Sequence, residues 1–263
     1  MTPLSGSVLL TGASGGIGQA IARMLAPRSG DLVLSGRRSV ALEPLAAELG
    51  ARVIMCDLSL RDEVERLLEE AGAVDVLVAN AGVPAAGELA ELTQQEIDRM
   101  LEVNLLAPVA LARALAPVMV RRGGGHMVFV SSLQGKAATP LSSVYCASKF
   151  GLRGFALALR QDLRGHGVGV SVVAPGFIRE AGMFARSGAR LPPWVGTRTP
   201  QDVARAVISA VEHDRAEVDV APVGLRLGTA IASVAPTLSA AVSRRLGSER
   251  IAARIVSGQR DRG

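Results

Sequence analysis

The sequence predicts a single α/β domain built on a doubly wound, seven-stranded, mostly parallel sheet with helices on both faces. Short apolar runs alternate with longer stretches of helical periodicity along the chain, which is the pattern of βαβ units whose strands are buried on both sides. The 263 residues, 49% of them hydrophobic, can bury one sizeable core, so we expect one domain over 1–263. No internal repeat interrupts the pattern.

The strands are expected at regular intervals, at 7–10, 31–35, 52–56, 74–79, 126–131, 169–173 and 217–220. Thr93 begins the longest predicted helix, because Glu96 three residues later completes a capping box, and this helix runs to about Val120. Thr199 with Pro200 begins another. The stretch 177–198 holds three glycines and two prolines and is interpreted as a long loop and a candidate lid. Residues 222–263 are interpreted as a C-terminal helical extension.

Composition and charge narrow the classes of function. The net charge is +5 and the pI is about 10.2, but the arginine pairs that begin at Arg37, Arg121 and Arg244 are scattered and aromatic residues are few, so we expect no nucleic-acid partner. Cys56 and Cys146 form neither a disulfide framework nor a paired ligand motif, so no metal is expected. No apolar leader is evident and the apolar, charge-free stretch 227–243 is too short to span a bilayer, so we expect a cytoplasmic protein.

A glycine-rich turn follows the first strand and precedes the helical pattern of Ile21, Ala22 and Leu25. Glycines let the backbone turn tightly and approach a pyrophosphate, while the N–H groups of the next helix face its negative charge. The order strand, glycines, helix therefore predicts a Rossmann-like dinucleotide site. The residues expected to form it are Thr11, Gly12, Ser14, Gly15, Gly16, Ile17 and Gly18.

The second strand ends in Gly36, Arg37 and Arg38, where an NAD site usually places a carboxylate for the adenosine ribose. A carboxylate would repel the 2′-phosphate of NADP, whereas a guanidinium can bind it through paired hydrogen bonds. The sequence therefore favours NADP(H), with NAD(H) as the alternative.

Tyr145 is the only tyrosine, and one of only two lysines, Lys149, stands four residues after it. Residues four apart share one face of a helix, so the ammonium of Lys149 can lie near the phenol. A nearby positive charge should lower the pKa of Tyr145 from about 10 toward working pH and make it a general acid and base.

With these motifs the chain resembles the short-chain dehydrogenases/reductases, in their shorter single-domain branch, over most of its length. The turn 11–18 resembles their cofactor motif, and Tyr145 with Lys149 their catalytic Tyr-x-x-x-Lys. The connecting signatures are Asp57-Leu58 as an adenine contact, Asn80-Ala81-Gly82 beside the cofactor, Asn104, the serine Ser132 with Ser131 as the weaker candidate, the nicotinamide-side turn Pro175-Gly176, and Ile178.

The resemblance implies hydride transfer between the cofactor and a carbonyl or alcohol. In reduction Ser132 would donate a hydrogen bond to the substrate oxygen and Tyr145 would protonate it. Lys149 would also hold the nicotinamide ribose, and Asn104 would position a water that links Lys149 to solvent. Two positions depart from the family pattern: Ala79 replaces a frequent asparagine, and Glu180 replaces a threonine near the nicotinamide.

The lid stretch holds Met183, Phe184, Leu191, Pro192, Pro193 and Trp194, which points to an apolar substrate that is lipid-like, polyketide-like or aromatic, although these side chains could equally anchor the loop to the core. A 3-oxoacyl group on a carrier protein is a variant, with Arg121 and Arg122 as docking charges. Two other functions fit the sequence less well. A redox-sensing module that binds the dinucleotide needs no Ser, Tyr and Lys set, and a sugar-nucleotide epimerase needs a larger substrate domain.

The helices expected at 96–120 and 148–164 carry more apolar residues than one face against the sheet needs, so we expect a homodimer or homotetramer. In the C-terminal extension, apolar residues recur at helical spacing: Leu225, Leu227, Ile231, Val234, Leu238, Val242 and Leu246. This stripe could cover the substrate cleft, pack on a neighbouring subunit, or rest on a membrane surface with Arg226, Arg244, Arg245, Arg250 and Arg254 toward anionic lipid. The first two roles are favoured.

Overall fold

A computed structural model of the chain describes residues 3–84, 87–189, 191–192, 195–245 and 248–260. Within these ranges the strands are β1 (Ser7–Thr11), β2 (Asp31–Gly36), β3 (Arg52–Met55), β4 (Val76–Ala79), β5 (Gly125–Val130), β6 (Val168–Pro175) and β7 (Glu217–Val220). They form one sheet in the order β3-β2-β1-β4-β5-β6-β7, and every neighbouring pair is parallel. The doubly wound seven-stranded fold is confirmed, and the described sheet is wholly parallel.

The helices are α1 (Gly16–Leu25), α2 (Ser39–Leu49), α3 (Arg61–Ala71), α4 (Gln94–Leu101), α5 (Ala107–Arg122), α6 (Ser143–Asp162), α7 (Gly182–Ser187), α8 (Pro200–Glu212), α9 (Val223–Val234), α10 (Pro236–Arg245) and α11 (Ser248–Arg260). A π-helical segment, Glu102–Leu106, joins α4 to α5. The predicted capping box at Thr93 is present, and the helix predicted to begin at Thr199 also has one, formed with Asp202.

The core has two layers because neighbouring residues of a strand point to opposite faces. On β1, Val8 and Leu10 pack with α1, α2 and α8, whereas Leu9 packs on the other face with α3, α5 and α6. The strands are therefore covered on both sides, which explains their continuously apolar sequences.

Several predicted bounds were wrong. β6 extends to Pro175 rather than 173, and β4 begins at Val76 rather than 74. Helix α6 begins at Ser143 rather than 148, because the backbone N–H of Cys146 already donates to the carbonyl of Ser142. Tyr145 and Lys149 therefore lie on one continuous helix.

The long helix from Thr93 is interrupted rather than uniform, since the π segment separates α4 from α5. By length and composition the stretch Gln94–Arg122 could cross a membrane, but half of its most apolar window is buried inside the protein. Met100, Leu111 and Met119 are fully buried, which identifies a core helix in this fold.

The predicted lid, 177–198, contains the short helix α7 and is closed at its base by a backbone bridge between Ile178 and Arg198. After β7 the described residues form three helices, α9, α10 and α11. Pro193, Trp194 and Leu246, and the side chains of Leu238, Val242 and Arg250, lie outside the described residues.

Candidate active site

The predicted site residues follow the carboxyl ends of β1, β4, β5 and β6, which are consecutive neighbours in the sheet. In an open parallel sheet the strand order reverses at one point, here between β1 and β4, and ligands bind in the crevice at the strand ends there. The topology thus brings the glycine turn, Asn80, Ser132 and Pro175 to one edge.

The glycine turn between β1 and α1 is tight because its glycines leave no room for side chains. Gly12 has a φ of +66°, and a Cβ on it would lie 2.6 Å from the Cα of Ala81. A Cβ on Gly18 would overlap the carbonyl oxygen of Gly12. Helix α1 begins with Gly15 as N-cap and no side-chain cap, so the N–H groups of its first turn suit an anion.

Asn80 braces this turn rather than reaching outward. Its Nδ2 donates to the carbonyl oxygens of Thr11 at 3.1 Å and Gly12 at 3.2 Å. The Thr11 hydroxyl in turn accepts from the backbone N–H groups of Asn80 and Ala81. These bonds fix the positions of two neighbouring strand ends relative to each other.

The arginines after β2 lie beside the glycine turn. Arg38 donates from Nη2 to the carbonyl oxygen of Ser14 at 2.6 Å. Arg37 pairs with Asp57 Oδ2 at 3.3 Å, and Arg99 pairs with the same oxygen at 3.0 Å. Arg99 lies 42 residues after Asp57 in the chain, and nothing in the sequence distinguished it from the other arginines. The Asp57 carboxylate therefore holds two arginines, and its predicted contact with adenine would compete with these ion pairs.

Ser132, Ser131 and Tyr145 have distinct surroundings at the end of β5. Ser132 lies near enough to Tyr145 for its hydroxyl to lower the tyrosine pKa, and this hydroxyl donates to the carbonyl of Pro175 at 3.4 Å. The buried Ser131 instead donates to the backbone carbonyl of Lys149 at 3.1 Å. Of the two serines, Ser132 is thus the one that lies with the tyrosine.

Lys149 is buried, and its ammonium lies 5.8 Å from the centre of the Tyr145 ring while donating to the carbonyl of Val130 at 3.1 Å. Burial lowers the pKa of Lys149 to about 8. Burial also raises the pKa of Tyr145 to about 12, and the hydrogen bond with Ser132 opposes this only in part. The predicted lowering of the tyrosine pKa was therefore wrong, because burial of the phenol is the largest influence on it.

Asn104 lies in the π segment and is fully buried. Its Oδ1 accepts from the backbone N–H of Val83 at 2.8 Å, and its Nδ2 donates to the Val83 carbonyl and to Ser148 Oγ. The two amide hydrogens are therefore committed to Val83 and Ser148, so the Asn104 side chain has no hydrogen left to donate to a water beside Lys149. Ser148, which links Asn104 to the carbonyl of Tyr145, had no sequence signal.

Two predicted cofactor residues turn their side chains into the core. Leu58 and Ile178 are 7% and 3% exposed, and their side chains pack in the two different core layers. Burial in the core stabilises aliphatic side chains more than contact with a ligand at an open site would. Only their backbones can face a ligand. Glu180 has a φ of +72° and an exposed carboxylate that pairs with Arg179.

The lid lies directly on the glycine turn. A Cβ on Gly16 would be 2.6 Å from the Cβ of Ala181, and one on Gly82 would be 3.7 Å from the Cε of Met183. The rings of Phe177 and Phe184 pack with their centres 5.1 Å apart. The apolar residues of the lid thus lie against the segments that follow β1 and β4, at the same end of the sheet as Ser132 and Tyr145.

A family profile described as short chain dehydrogenase matches residues 7–191. The chain belongs to the short-chain dehydrogenase/reductase family. It is 38% identical over 230 residues to the Ketoacyl reductase HetN of Nostoc sp., covering 84% of this chain and 80% of that protein. It is 44% identical over 179 residues to the Nodulation protein G of Rhizobium sp., covering 66% and 73%.

Solved structures of short-chain dehydrogenases/reductases have the same fold. One, titled a putative betaketoacyl-ACP reductase, has a TM-score of 0.75 at 27% identity, covering 84% of this chain and 98% of that one. Another, titled a putative NAD(P) dependent gluconate 5-dehydrogenase from Beutenbergia cavernae with bound NADP, has a TM-score of 0.74 at 26% identity, covering 83% and 97%.

Proposed function

We propose that this short-chain dehydrogenase/reductase transfers a hydride between NADP(H) and a carbonyl or alcohol carbon, with Tyr145 as general acid and base. The observation that carries the proposal is that Ser132 and Tyr145 lie together beside the buried ammonium of Lys149, at the strand ends next to the glycine turn. A binding module would need the turn but not this proton-transfer group.

The residues present fit a dinucleotide. Gly12 and Gly18 let the backbone fold closely, and the uncapped first turn of α1 offers N–H groups to a pyrophosphate. Arg38, held at Ser14, would meet the adenosine end, where a 2′-phosphate needs a cation and no carboxylate follows β2. Lys149 would hold the nicotinamide ribose.

In carbonyl reduction the bound dinucleotide supplies the hydride to the carbonyl carbon. Ser132 donates a hydrogen bond to the substrate oxygen as negative charge grows on it. Tyr145, whose raised pKa keeps the phenol protonated, gives its proton to that oxygen. The ammonium of Lys149 stabilises the phenolate that remains. Alcohol oxidation uses the same groups in reverse.

The substrate that this site suits is apolar. The Phe177 and Phe184 rings and Met183 line the lid, and an apolar cover excludes water from the reaction. A 3-oxoacyl group on a carrier protein is the variant that the names of the similar reductases support. Arg122 pairs with Asp75, which leaves Arg121 as the stronger of the two predicted docking charges. We place the reaction in the cytosol, where the free buried thiols of Cys56 and Cys146 stay reduced.

The test is oxidation of NADPH and of NADH by the purified chain against aliphatic ketones, aromatic ketones and 3-oxoacyl thioesters. We expect turnover with NADPH and an apolar ketone, and loss of about two orders of magnitude or more in Tyr145→Phe with its NADPH affinity intact. Tight NADPH binding without turnover of any substrate would support the redox-sensing module instead, and equal use of both cofactors would overturn the NADP(H) preference.

A further inference from the structure

Helix α9 directs its large aliphatic side chains into solvent. Val223, Leu227, Ile231 and Val234 are 64%, 61%, 56% and 86% exposed. Their spacing of four, four and three residues places them on one face of the helix. The opposite face carries the buried Thr229, so the helix is anchored through its inner side and presents an apolar stripe outward.

This orientation reverses the usual amphipathic arrangement, in which a surface helix buries its apolar stripe. The stripe is also the densest group of exposed large aliphatics in the part of the chain that the structure describes. The inner contacts hold α9 in place: Ser233 donates to the carbonyl of Lys136, and α10 packs on α9. The outward face is therefore presented on a positioned helix.

The charged residues of the chain segment that carries the stripe have one sign. The sequence has no Asp or Glu from 221 to 248, whereas it has Arg226, Arg244 and Arg245 there. All three arginines are exposed, and Arg226 lies on the flank of the apolar face. Aliphatic side chains together with exposed cations are the combination that binds at the interface of an anionic bilayer.

A second copy of the chain suits this face less well. A helix of 12 residues is about 18 Å long and about 10 Å wide. Its footprint is roughly a quarter of the ~800 Å² per partner that stable interfaces bury. A two-fold contact would also bring Arg226 close to the Arg226 of the second copy. The segment 221–248 has no carboxylate that could neutralise the two charges.

We propose that the outward face of α9, together with Arg226, Arg244 and Arg245, binds the surface of anionic phospholipid bilayers. The aliphatic side chains enter the acyl boundary while the guanidinium groups contact the lipid phosphates. The contact is peripheral, and it brings the apolar lid close to a source of apolar substrates.

Flotation of the full chain with phosphatidylcholine vesicles, with and without about 30% phosphatidylglycerol, tests the proposal. We expect the anionic vesicles to bind at least about tenfold more protein than the neutral ones, and the difference to shrink in 0.5 M salt as charge is screened. The double variant Leu227→Gln/Ile231→Gln should lose about tenfold or more of this binding.

The matched control is Val40→Gln/Leu60→Gln, which makes the same change at two exposed aliphatic residues elsewhere, 87% and 52% exposed. It should bind vesicles as the unmodified chain does, and both double variants should keep the circular-dichroism spectrum and melting temperature. Failure of the unmodified chain to float with anionic vesicles, or equal loss in both variants, would overturn the proposal. Loss of an oligomer in Leu227→Gln/Ile231→Gln by light scattering, with vesicle binding absent, would assign the face to a second copy.

Discussion

Tyr145 and Lys149 lie one turn apart on α6, and burial acts on their two ionisations in opposite directions. The pKa of the phenol is raised to about 12, which keeps it protonated, and the pKa of the Lys149 ammonium is lowered to about 8, which is close to neutral pH. A protonated phenol is the form that reduction requires, so the pair is ready to donate a proton. The sequence revealed which residues meet, through their spacing and rarity. It could not reveal the desolvation, because that depends on β5, the π segment and the lid closing around them.

The ionisation of Lys149 predicts how stability changes with pH. Its pKa is about 8 when folded and 10.5 ordinarily, so between these values the folded chain binds fewer protons than the unfolded chain and stability rises with pH. From pH 7.5 to 9.5, below the titration of Tyr145, the gain from Lys149 is about 2 kcal/mol.

The measurement is urea unfolding of the unmodified chain and Lys149→Met at both pH values. The variant is needed because the buried thiol of Cys56, with its pKa raised to about 12, makes stability fall above pH 9 in both proteins. The unfolding free energy of the unmodified chain minus that of Lys149→Met should therefore rise by about 2 kcal/mol from the lower pH to the higher one. A difference that does not change with pH would contradict a depressed lysine pKa.

Arg38 is the residue that we expect to select the cofactor. Arg38→Gln should raise the KM for NADPH roughly 10- to 100-fold, the effect of losing one charge-assisted hydrogen bond, and leave the KM for NADH nearly unchanged. Arg28→Gln is the matched control, because Arg28 also donates from its guanidinium to a backbone carbonyl, that of Met24. If both variants shift the two KM values alike, Arg38 acts through general surface charge.

At the scale of elements, the apolar runs predicted all seven strands because burial on both faces requires continuous hydrophobicity. The π segment could not be predicted, since Asn104 stabilises it only through contacts with Val83 and Ser148 that are remote in sequence. Helix α7 was likewise missed, because a helix of only six residues that begins with a glycine has little propensity of its own. It depends on packing against the glycine turn and against α11.

The packing of α11 against α7 predicts that α11 contributes to substrate binding by positioning the lid. A Cβ on Gly258 would overlap the carbonyl oxygen of Ser187 at the end of α7, whereas Gly224 of α9 has no heavy atom within 4 Å of its Cβ position. Gly258→Val should therefore displace the lid and change the KM for the ketone about fivefold or more. Gly224→Val places the same side chain on a helix and should leave the kinetics unchanged. Steady-state kinetics of the two variants separate the outcomes, and identical KM values would show that α11 does not position the lid.

At the scale of the whole molecule, the two core layers leave part of one helical surface uncovered. Leu106 at the end of the π segment and Phe150 on the adjoining α6 are 44% and 41% exposed. Their neighbours on these elements are partly buried aliphatic side chains, so the face is apolar. Covering it with a second copy, related by a two-fold axis, would bury the same residues on both subunits.

We therefore predict a homodimer or homotetramer closed through this face. Light scattering should give two or four times the chain mass of 27.2 kDa. Leu106→Glu/Phe150→Glu should reduce the mass to that of one chain, because two carboxylates on each subunit would face their copies without a partner. Val40→Glu, at an aliphatic residue that is 87% exposed on α2, should leave the mass unchanged. A mass of 27.2 kDa for the unmodified chain at micromolar concentration would refute the assembly, and an oligomer that survives the double variant would move the interface to another surface.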